Sequence, residues 1–219
     1  MIRISSQFDG GNIEVIDASD PADIRLNIRR DAGGEHGQWF LFELANACGE
    51  ECRIAIENAG EMSYPEGFRD YSAVVTEDGE SWFRVPTTFD GERLVISHTP
   101  EADIVRYGYF APYDFERHQA LIGWAQAHPD VSAEVLCNTP DGRPLTLLTI
   151  GEESRARKTI WITARQHPGE TMAEWWVEGF LERLLDDADG VSRALRDHAI
   201  IYLVPNMNPD GGVRGHLRV

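Results

Sequence analysis

Residues 159–164 read Thr159-Ile160-Trp161-Ile162-Thr163-Ala164, a nearly continuous apolar run, and Arg165-Gln166-His167-Pro168-Gly169-Glu170 follows directly. A short apolar run of this kind predicts a strand that is buried on both faces of a sheet. Pro168 and Gly169 suit a tight turn into a helix, so a helix is predicted from about residue 170 to residue 185. This strand–turn–helix unit indicates an α/β fold for the second half of the chain.

The segments on either side of this unit continue the alternation of strands and helices. The other predicted elements are, in order, a helix capped by Asp114, strands at 133–138 and 145–150, a short helix near 191–197 and a strand at Ala199–Val204. Such alternation predicts an α/β domain with a largely parallel sheet. Four strands with two or three helices make a thin sheet, so residues 113–219 are expected to be the first part of a larger domain.

The first half of the chain has a different pattern. Its strand-like segments are 12–16, 24–29, 39–44, 52–57, 73–76, 82–85, 93–97 and 105–110. Glu77-Asp78-Gly79-Glu80 is a typical hairpin turn between two of them. Many short strands at this spacing predict an antiparallel β-sandwich over residues 1–112, an all-β N-terminal domain that ends near Pro112.

The composition excludes several classes of function. The chain has 219 residues and a net charge of −17, and such a chain repels phosphate backbones and anionic membranes. It contains no apolar run long enough for a membrane helix. Three cysteines and an N-terminus without an apolar signal core indicate a reducing cytoplasm. The oligomeric state is left open.

The candidate site is the turn that carries His167 and Glu170. It follows a predicted strand at the carboxyl edge of a sheet, where sites in open α/β sheets gather. An imidazole and a carboxylate three residues apart across such a turn can converge on one Zn²⁺. The alternative is an exposed histidine and a glutamate that stabilises the first helical turn. A second His-x-x-Glu match, His98 to Glu101, has no helix after it and is interpreted as chance.

A loop dense in turn residues is predicted directly after the strand that ends at Val204. It runs from residue 204 to residue 218 and contains Arg214 and Arg218, with no acidic residue after Asp210. In a strongly acidic chain this composition favours a local anion site. Simple solvation of both arginines is the alternative.

Together, the two segments resemble a known family. His167-Pro-Gly-Glu170, followed by Asn208-Pro-Asp-Gly211 and Gly215-His-Leu-Arg218, resembles the M14 zinc metallocarboxypeptidases, and is most similar to the bacterial members of their cytosolic-carboxypeptidase-like branch. Those proteins carry an all-β domain before the catalytic α/β domain, so the resemblance extends over essentially the whole chain.

The resemblance implies roles for individual residues. His167 and Glu170 are the first two Zn²⁺ ligands, and Arg218 polarises the scissile carbonyl and stabilises the oxyanion. His216 is assigned with Arg218 to substrate binding; it is the one nearby histidine available for a third zinc position, but in similar sequences that ligand comes later. The third histidine, the base glutamate and the Asn-Arg pair for the substrate carboxylate all lie beyond Val219 in relatives. The 219 residues alone are therefore expected to lack peptidase activity.

Three functions remain open at this point. The first is a zinc metallocarboxypeptidase that removes C-terminal residues from a peptide or protein tail. The second is a zinc amidohydrolase acting on small N-acyl substrates, because such enzymes share the His-x-x-Glu start. The third is a non-catalytic binding module with a degenerate site.

Overall fold

The computed structural model describes residues 1–152, 154 and 158–219. The chain divides into two compact units, one formed by Met1–Pro112 with Val213–Val219 and the other by Tyr113–Gly212. This division differs from the predicted domains, 1–112 and 113–219, in the last seven residues. Within the first unit, the buried carboxylate of Asp31 accepts the N–H groups of the last three of them, Leu217, Arg218 and Val219. In the part of the chain that is described, no helix is long and apolar enough to cross a membrane.

The first unit is mostly β, as predicted. Its strands are β1 (Arg3–Ser5), β2 (Glu14–Asp17), β3 (Ile24–Asn27), β4 (Leu41–Ala45), β5 (Cys52–Ile56), β6 (Val74–Thr76), β7 (Phe83–Arg84), β8 (Thr87–Phe89), β9 (Leu94–His98) and β10 (Ile104–Gly108). Short 3-10 helices lie at Pro21–Asp23, Ala59–Glu61 and Pro65–Phe68. Strands β1 and β8 lie outside the predicted segments, whereas the hairpin between β6 and β7 is confirmed.

These strands form two five-stranded sheets, with the orders β1-β4-β10-β6-β7 and β2-β3-β5-β9-β8. All pairs are antiparallel except β3 and β5. Both sheets contribute to one apolar core, with Leu26 and Ile54 from one sheet and Phe42 and Tyr107 from the other. Strand β3 alternates buried and half-buried residues, because successive side chains of a strand face opposite ways.

The second unit has the α/β composition that the sequence predicts. Its elements are α1 (Phe115–Ala125), β11 (Val131–Asn138), β12 (Pro144–Ile150), β13 (Lys158–Thr163), α2 (Met172–Leu184), α3 (Gly190–His198), β14 (Ala199–Val204) and α4 (Pro209–Arg214), the last ending in the segment grouped with the first unit. Asp114 caps α1 as predicted, since its carboxylate accepts the Arg117 N–H at 2.7 Å. The segment after β14 was expected to be a loop but contains the short helix α4.

The sheet of this unit is mixed rather than largely parallel. Its order is β11-β12-β14-β13, and only β13 and β14 run parallel. The tight turn at 140–142 makes β11 and β12 an antiparallel hairpin, and β12 then pairs antiparallel with β14. Among the described residues, strand β13 lies at one edge of this sheet, next to β14.

The prediction that β13 is buried on both faces is wrong. Trp161 is 62% exposed and stacks on Tyr202 of the neighbouring strand, with ring centroids 4.6 Å apart. An apolar run can arise when exposed aromatic side chains alternate with inward-facing ones, and the sequence does not distinguish this case from full burial. The carboxyl end of β13 nevertheless leads into the candidate turn, as expected.

Candidate functional site

The turn after β13 brings His167 and Glu170 together. The Nδ1 atom of His167 lies 3.0 Å from Oε1 of Glu170, and the Glu170 N–H donates to the His167 carbonyl at 3.1 Å. Both side chains are about half exposed, with 42% and 45% of their surface accessible. The pair therefore presents one nitrogen and one carboxylate to solvent at the start of α2.

This pair fits two of the ligands of a zinc ion. Zn–N and Zn–O distances of about 2.0–2.2 Å and a tetrahedral angle separate two ligand atoms by about 3.4 Å. The observed 3.0 Å between Nδ1 and Oε1 requires an opening of roughly 0.4 Å, which rotations of two half-exposed side chains supply. Within residues 1–152, 154 and 158–219, no group of three or more His, Cys, Asp or Glu side chains is arranged to hold a metal.

The backbone of the turn is held by Arg165. Its φ of +46° lies in the left-handed region, which non-glycine residues seldom adopt. The guanidinium is 5% exposed; Nε donates to the Pro168 carbonyl at 2.9 Å, and Nη1 donates to the Tyr113 carbonyl at 2.6 Å. One side chain thus ties the end of β13 to the turn that presents His167.

The partner of this guanidinium is Glu174, on the first turn of α2. Its side chain is fully buried, and Oε2 accepts Arg165 Nη1 at 2.5 Å and Asn206 Nδ2 at 3.0 Å. The other oxygen, Oε1, contacts Nδ1 of buried His118 at 2.7 Å. A carboxylate is tolerated away from water only when it is paired and hydrogen-bonded, and here both oxygens have partners.

Arg165 and Asp210 have separate partners. Arg165 pairs with Glu174, whereas Asp210 accepts Thr139 Oγ1 at 2.8 Å, Arg143 Nη1 at 2.7 Å and the Asp141 N–H at 3.0 Å. Burial alone raises the pKa of Asp210, but these hydrogen bonds outweigh it and lower the pKa below its usual value. Asp210 therefore fastens α4 to the turn between β11 and β12.

The asparagines after β14 have structural partners as well. Asn206 Oδ1 accepts the Asn208 N–H at 2.9 Å, and Asn208 Oδ1 accepts the Gly211 N–H at 2.9 Å. Sequence reasoning noted this segment for its turn residues and missed Glu174, which occupies an ordinary helical position. No local spacing marks Glu174, because Glu170 precedes α2 whereas Glu174 lies on the first turn of that helix.

Arg218 and His216 lie in the segment that groups with the first unit. Arg218 Nη2 donates to the Tyr64 hydroxyl at 2.8 Å, and the guanidinium carbon lies 5.4 Å from the centre of the Tyr64 ring. His216 is buried: Nε2 accepts the Ala32 N–H at 3.1 Å, and Nδ1 contacts the Val219 carbonyl. Both ring nitrogens of His216 thus contact backbone groups, and its contact with substrate stays a prediction.

The second His-x-x-Glu match has a different environment. His98 Nδ1 contacts the Tyr107 hydroxyl at 2.9 Å, and its Nε2 lies 3.8 Å from Glu77. Burial lowers the pKa of His98. Its ring serves the core of the first unit, in agreement with its interpretation as a chance match.

Comparisons with known proteins identify the family of both halves of the chain. Residues 4–110 match a family model described as the cytosolic carboxypeptidase N-terminal domain, and residues 118–218 match one described as zinc carboxypeptidase. A metallo-carboxypeptidase from Burkholderia cenocepacia, known from its crystal structure, is 50% identical with a TM-score of 0.96, and the match covers 100% of this chain and 59% of that chain.

Two further relatives cover nearly the whole chain. A metallo-carboxypeptidase from Pseudomonas aeruginosa, solved in complex with (2-guanidinoethylmercapto)succinic acid, is 42% identical with a TM-score of 0.93, over 99% of this chain and 58% of that chain. Cytosolic carboxypeptidase 2 of Danio rerio is 28% identical over 99% of this chain and 34% of that protein. The chain thus spans 34–59% of the length of these three relatives.

The two family models lie next to each other in the order expected from the sequence, and together they account for nearly all of the chain. The two bacterial relatives are similar to it in backbone, with TM-scores of 0.96 and 0.93, and in sequence, with 50% and 42% identity. The chain belongs to the M14 zinc carboxypeptidase family, in the form that carries a cytosolic carboxypeptidase N-terminal domain.

Proposed function

We propose that the protein containing this chain is a zinc-dependent metallocarboxypeptidase that removes C-terminal residues from peptide or protein tails. The observation that carries the proposal is the His167–Glu170 pair, with Nδ1 and Oε1 3.0 Å apart at the carboxyl end of β13. Family membership supports it, because the relatives are named carboxypeptidases. A cytoplasmic location is part of the proposal, supported by the name of the cytosolic relatives.

His167 and Glu170 are proposed to hold the zinc through Nδ1 and a carboxylate oxygen. When bound, zinc supplies a Lewis acid that lowers the pKa of a water molecule and polarises a peptide carbonyl. Arg218 is proposed to donate hydrogen bonds to the oxygen on which negative charge develops, a contribution that a fixed donor makes most strongly in the transition state. Arg165 and Glu174 are proposed to keep the ligand-bearing turn in place through their buried hydrogen bonds.

The test compares the two His-x-x-Glu matches in the full-length protein that contains this chain. Glu170→Gln removes a proposed ligand, and Glu101→Gln makes the same change at the match interpreted as chance. Zinc content is measured by mass spectrometry, and peptides ending in glutamate or in lysine are followed for stepwise loss of C-terminal residues. We expect Glu170→Gln to lose both zinc and turnover, and Glu101→Gln to keep both.

Three results would contradict the proposal. Peptide binding without hydrolysis by zinc-loaded protein would indicate the binding module. Hydrolysis of N-acyl amino acids without hydrolysis of peptides would indicate the amidohydrolase. Equal zinc content in Glu170→Gln and wild type would remove the ligand assignment. The compound found in complex with the Pseudomonas aeruginosa relative is a useful probe, and we expect the zinc-loaded full-length protein to bind it.

A further inference from the structure

The backbone around Arg218 is held by one buried carboxylate. Asp31 is 3% exposed; its Oδ1 accepts the Leu217 N–H at 2.7 Å, and its Oδ2 accepts the Arg218 N–H at 2.7 Å and the Val219 N–H at 3.2 Å. Three consecutive amides thus converge on one side chain from a distant part of the sequence. Removing a carboxylate from water is costly, and these charge-assisted hydrogen bonds offset the cost.

Further contacts hold the same segment on its N-terminal side. Asn12 Nδ2 donates to the Gly215 carbonyl at 2.9 Å, and the Gly10 N–H donates to the Val213 carbonyl at 2.9 Å. Gly215 has a φ of +72°, and a Cβ built there would lie 2.7 Å from the Gly10 carbonyl oxygen. The backbone is therefore fixed on both sides of Arg218.

The guanidinium of Arg218 is oriented separately. Tyr64 accepts Nη2 at 2.8 Å through its hydroxyl, and its ring lies beneath the guanidinium carbon at 5.4 Å. Tyr64 is itself positioned because its N–H donates to Gln38 Oε1 at 3.1 Å. Asp31 thus fixes the backbone of Arg218, and Tyr64 fixes the direction of its guanidinium.

We propose that Asp31 and Tyr64 of the N-terminal β domain are positioning residues for Arg218. The inference rests on the proposed function, in which Arg218 stabilises the oxyanion. A donor aimed at a developing charge acts only if its position is fixed beforehand. A displacement of about 1 Å at such a group lowers the rate by about 10²-fold. The β domain therefore contributes to catalysis through the geometry of this arginine.

Asp31→Asn is the most direct probe. An amide has one acceptor oxygen, so its NH₂ group faces a backbone N–H whichever way it is turned. If the oxygen accepts from Arg218 and Val219, the NH₂ opposes the Leu217 N–H. The segment must then shift, and we expect kcat of the full-length protein to fall by about 10–10²-fold with KM nearly unchanged.

The decisive measurement repeats this substitution in an Arg218→Ala background. If Asp31 acts through Arg218, its removal costs nothing further once the arginine is gone, so Asp31→Asn should then change kcat by less than about twofold. Tyr64→Phe, which removes only the hydroxyl of a half-exposed side chain, should show the same dependence on Arg218. Asp31→Glu keeps the charge and tests the same link if Asp31→Asn does not fold.

Asp78→Asn is the matched control. Asp78 also accepts backbone N–H groups in the first unit, from Glu80 and Ser81, but within the hairpin between β6 and β7. The Asp78→Asn substitution should therefore leave kcat of the full-length protein unchanged. An equal loss from Asp31→Asn with and without Arg218 would overturn the inference and leave the proposed function intact. An Arg218→Ala variant as active as wild type would instead overturn the proposed role of Arg218.

Discussion

Nη1 of Arg165 lies 2.5 Å from Oε2 of Glu174, and neither side chain is more than 5% exposed. The same guanidinium donates through Nε to the Pro168 carbonyl at 2.9 Å. A buried charge pair is a weak source of stability compared with apolar packing, but removing one partner leaves an uncompensated buried charge. In this protein the Arg165–Glu174 pair joins α2 to the turn that carries His167 and Glu170.

The first prediction concerns Glu174→Ala. It leaves Arg165 buried without its carboxylate and removes the acceptor of Asn206 Nδ2 and the partner of His118. We expect the free energy of unfolding to fall by about 3–5 kcal/mol, measured by urea denaturation. Zinc affinity should fall as well, because the turn that holds His167 loses its anchor.

Glu182→Ala is the control for this change. Glu182 lies on the same helix but is exposed, so its removal should alter stability by less than about 0.5 kcal/mol. Equal effects of the two substitutions would show that the buried network does not support the turn.

The second prediction concerns the charge and shape of Arg218. Arg218→Ala should lower kcat/KM of the full-length protein by about 10²–10³-fold, the usual effect of removing one oxyanion donor, with zinc content unchanged. Arg218→Lys should restore only part of the activity, because an ammonium lacks the planar fork of a guanidinium.

Arg53→Ala serves as the comparison, since Arg53 is exposed on β5 and belongs to no proposed site. Peptide hydrolysis at several substrate concentrations separates kcat from KM. If Arg218→Lys were fully active, a simple positive charge would be sufficient and the oxyanion role would lose its geometric basis.

The sequence was informative where the signal was local. Ala199–Val204 is predicted at its observed bounds because all six residues are apolar or aromatic, and the Asp114 cap follows from its place before an amphipathic segment. The proximity of His167 and Glu170 follows from three-residue spacing at a helix start. These features depend on neighbours in the chain and need no knowledge of the tertiary structure.

The features that were missed depend on distant partners. Asp31 contacts Leu217 across 186 positions, and Asp31 belongs to no motif that the sequence offers. In the sequence Glu174 looks like any other helical residue, and only the structure shows that the buried Arg165 contacts it. The mixed sheet was also missed, because the relative direction of β12 and β14 depends on which strands become neighbours, and apolar runs do not encode this.

The third prediction uses two glycines with positive φ in the first unit. Gly215 has a φ of +72° and a Cβ there would lie 2.7 Å from a backbone oxygen, whereas Gly79 has a φ of +83° and open space around that position. Gly79→Ala should cost about 1–2 kcal/mol from the left-handed conformation alone. Gly215→Ala should cost more than that, because backbone atoms must also move.

Urea denaturation gives the free energy of unfolding of each variant. Both variants place alanine at a positive φ, so the difference between them reports the steric contact at Gly215. In the full-length protein, Gly215→Ala should in addition lower peptidase activity, since the displaced segment carries Arg218. Equal stabilities of the two variants would mean that the segment 213–219 is not packed closely against the first unit.

The fourth prediction concerns acid stability and begins from Glu178 on α2. Its carboxylate accepts Arg117 Nη2 at 2.5 Å and Nε at 2.9 Å, and the Tyr113 hydroxyl donates to it at 2.7 Å. The hydrogen bonds from Arg117, followed by that from Tyr113, lower the pKa of Glu178 although burial opposes them. The folded protein therefore binds a proton at this site less readily than the unfolded chain does.

A carboxyl with a lowered folded-state pKa stabilises the protein above its unfolded pKa, about 4.3 for glutamate, and the contribution is lost as the pH falls through the folded value. Glu178→Gln should thus lower the free energy of unfolding by about 1–2 kcal/mol at pH 7. The difference from wild type should shrink steadily below pH 4.3, where the wild-type carboxylate also gains its proton.

Denaturant unfolding between pH 7 and pH 3 gives this difference at each pH, and Glu182→Gln provides the exposed control, with a small and constant difference. A Glu178→Gln difference that stays constant with pH would mean that the Arg117 and Tyr113 contacts do not favour the charged form.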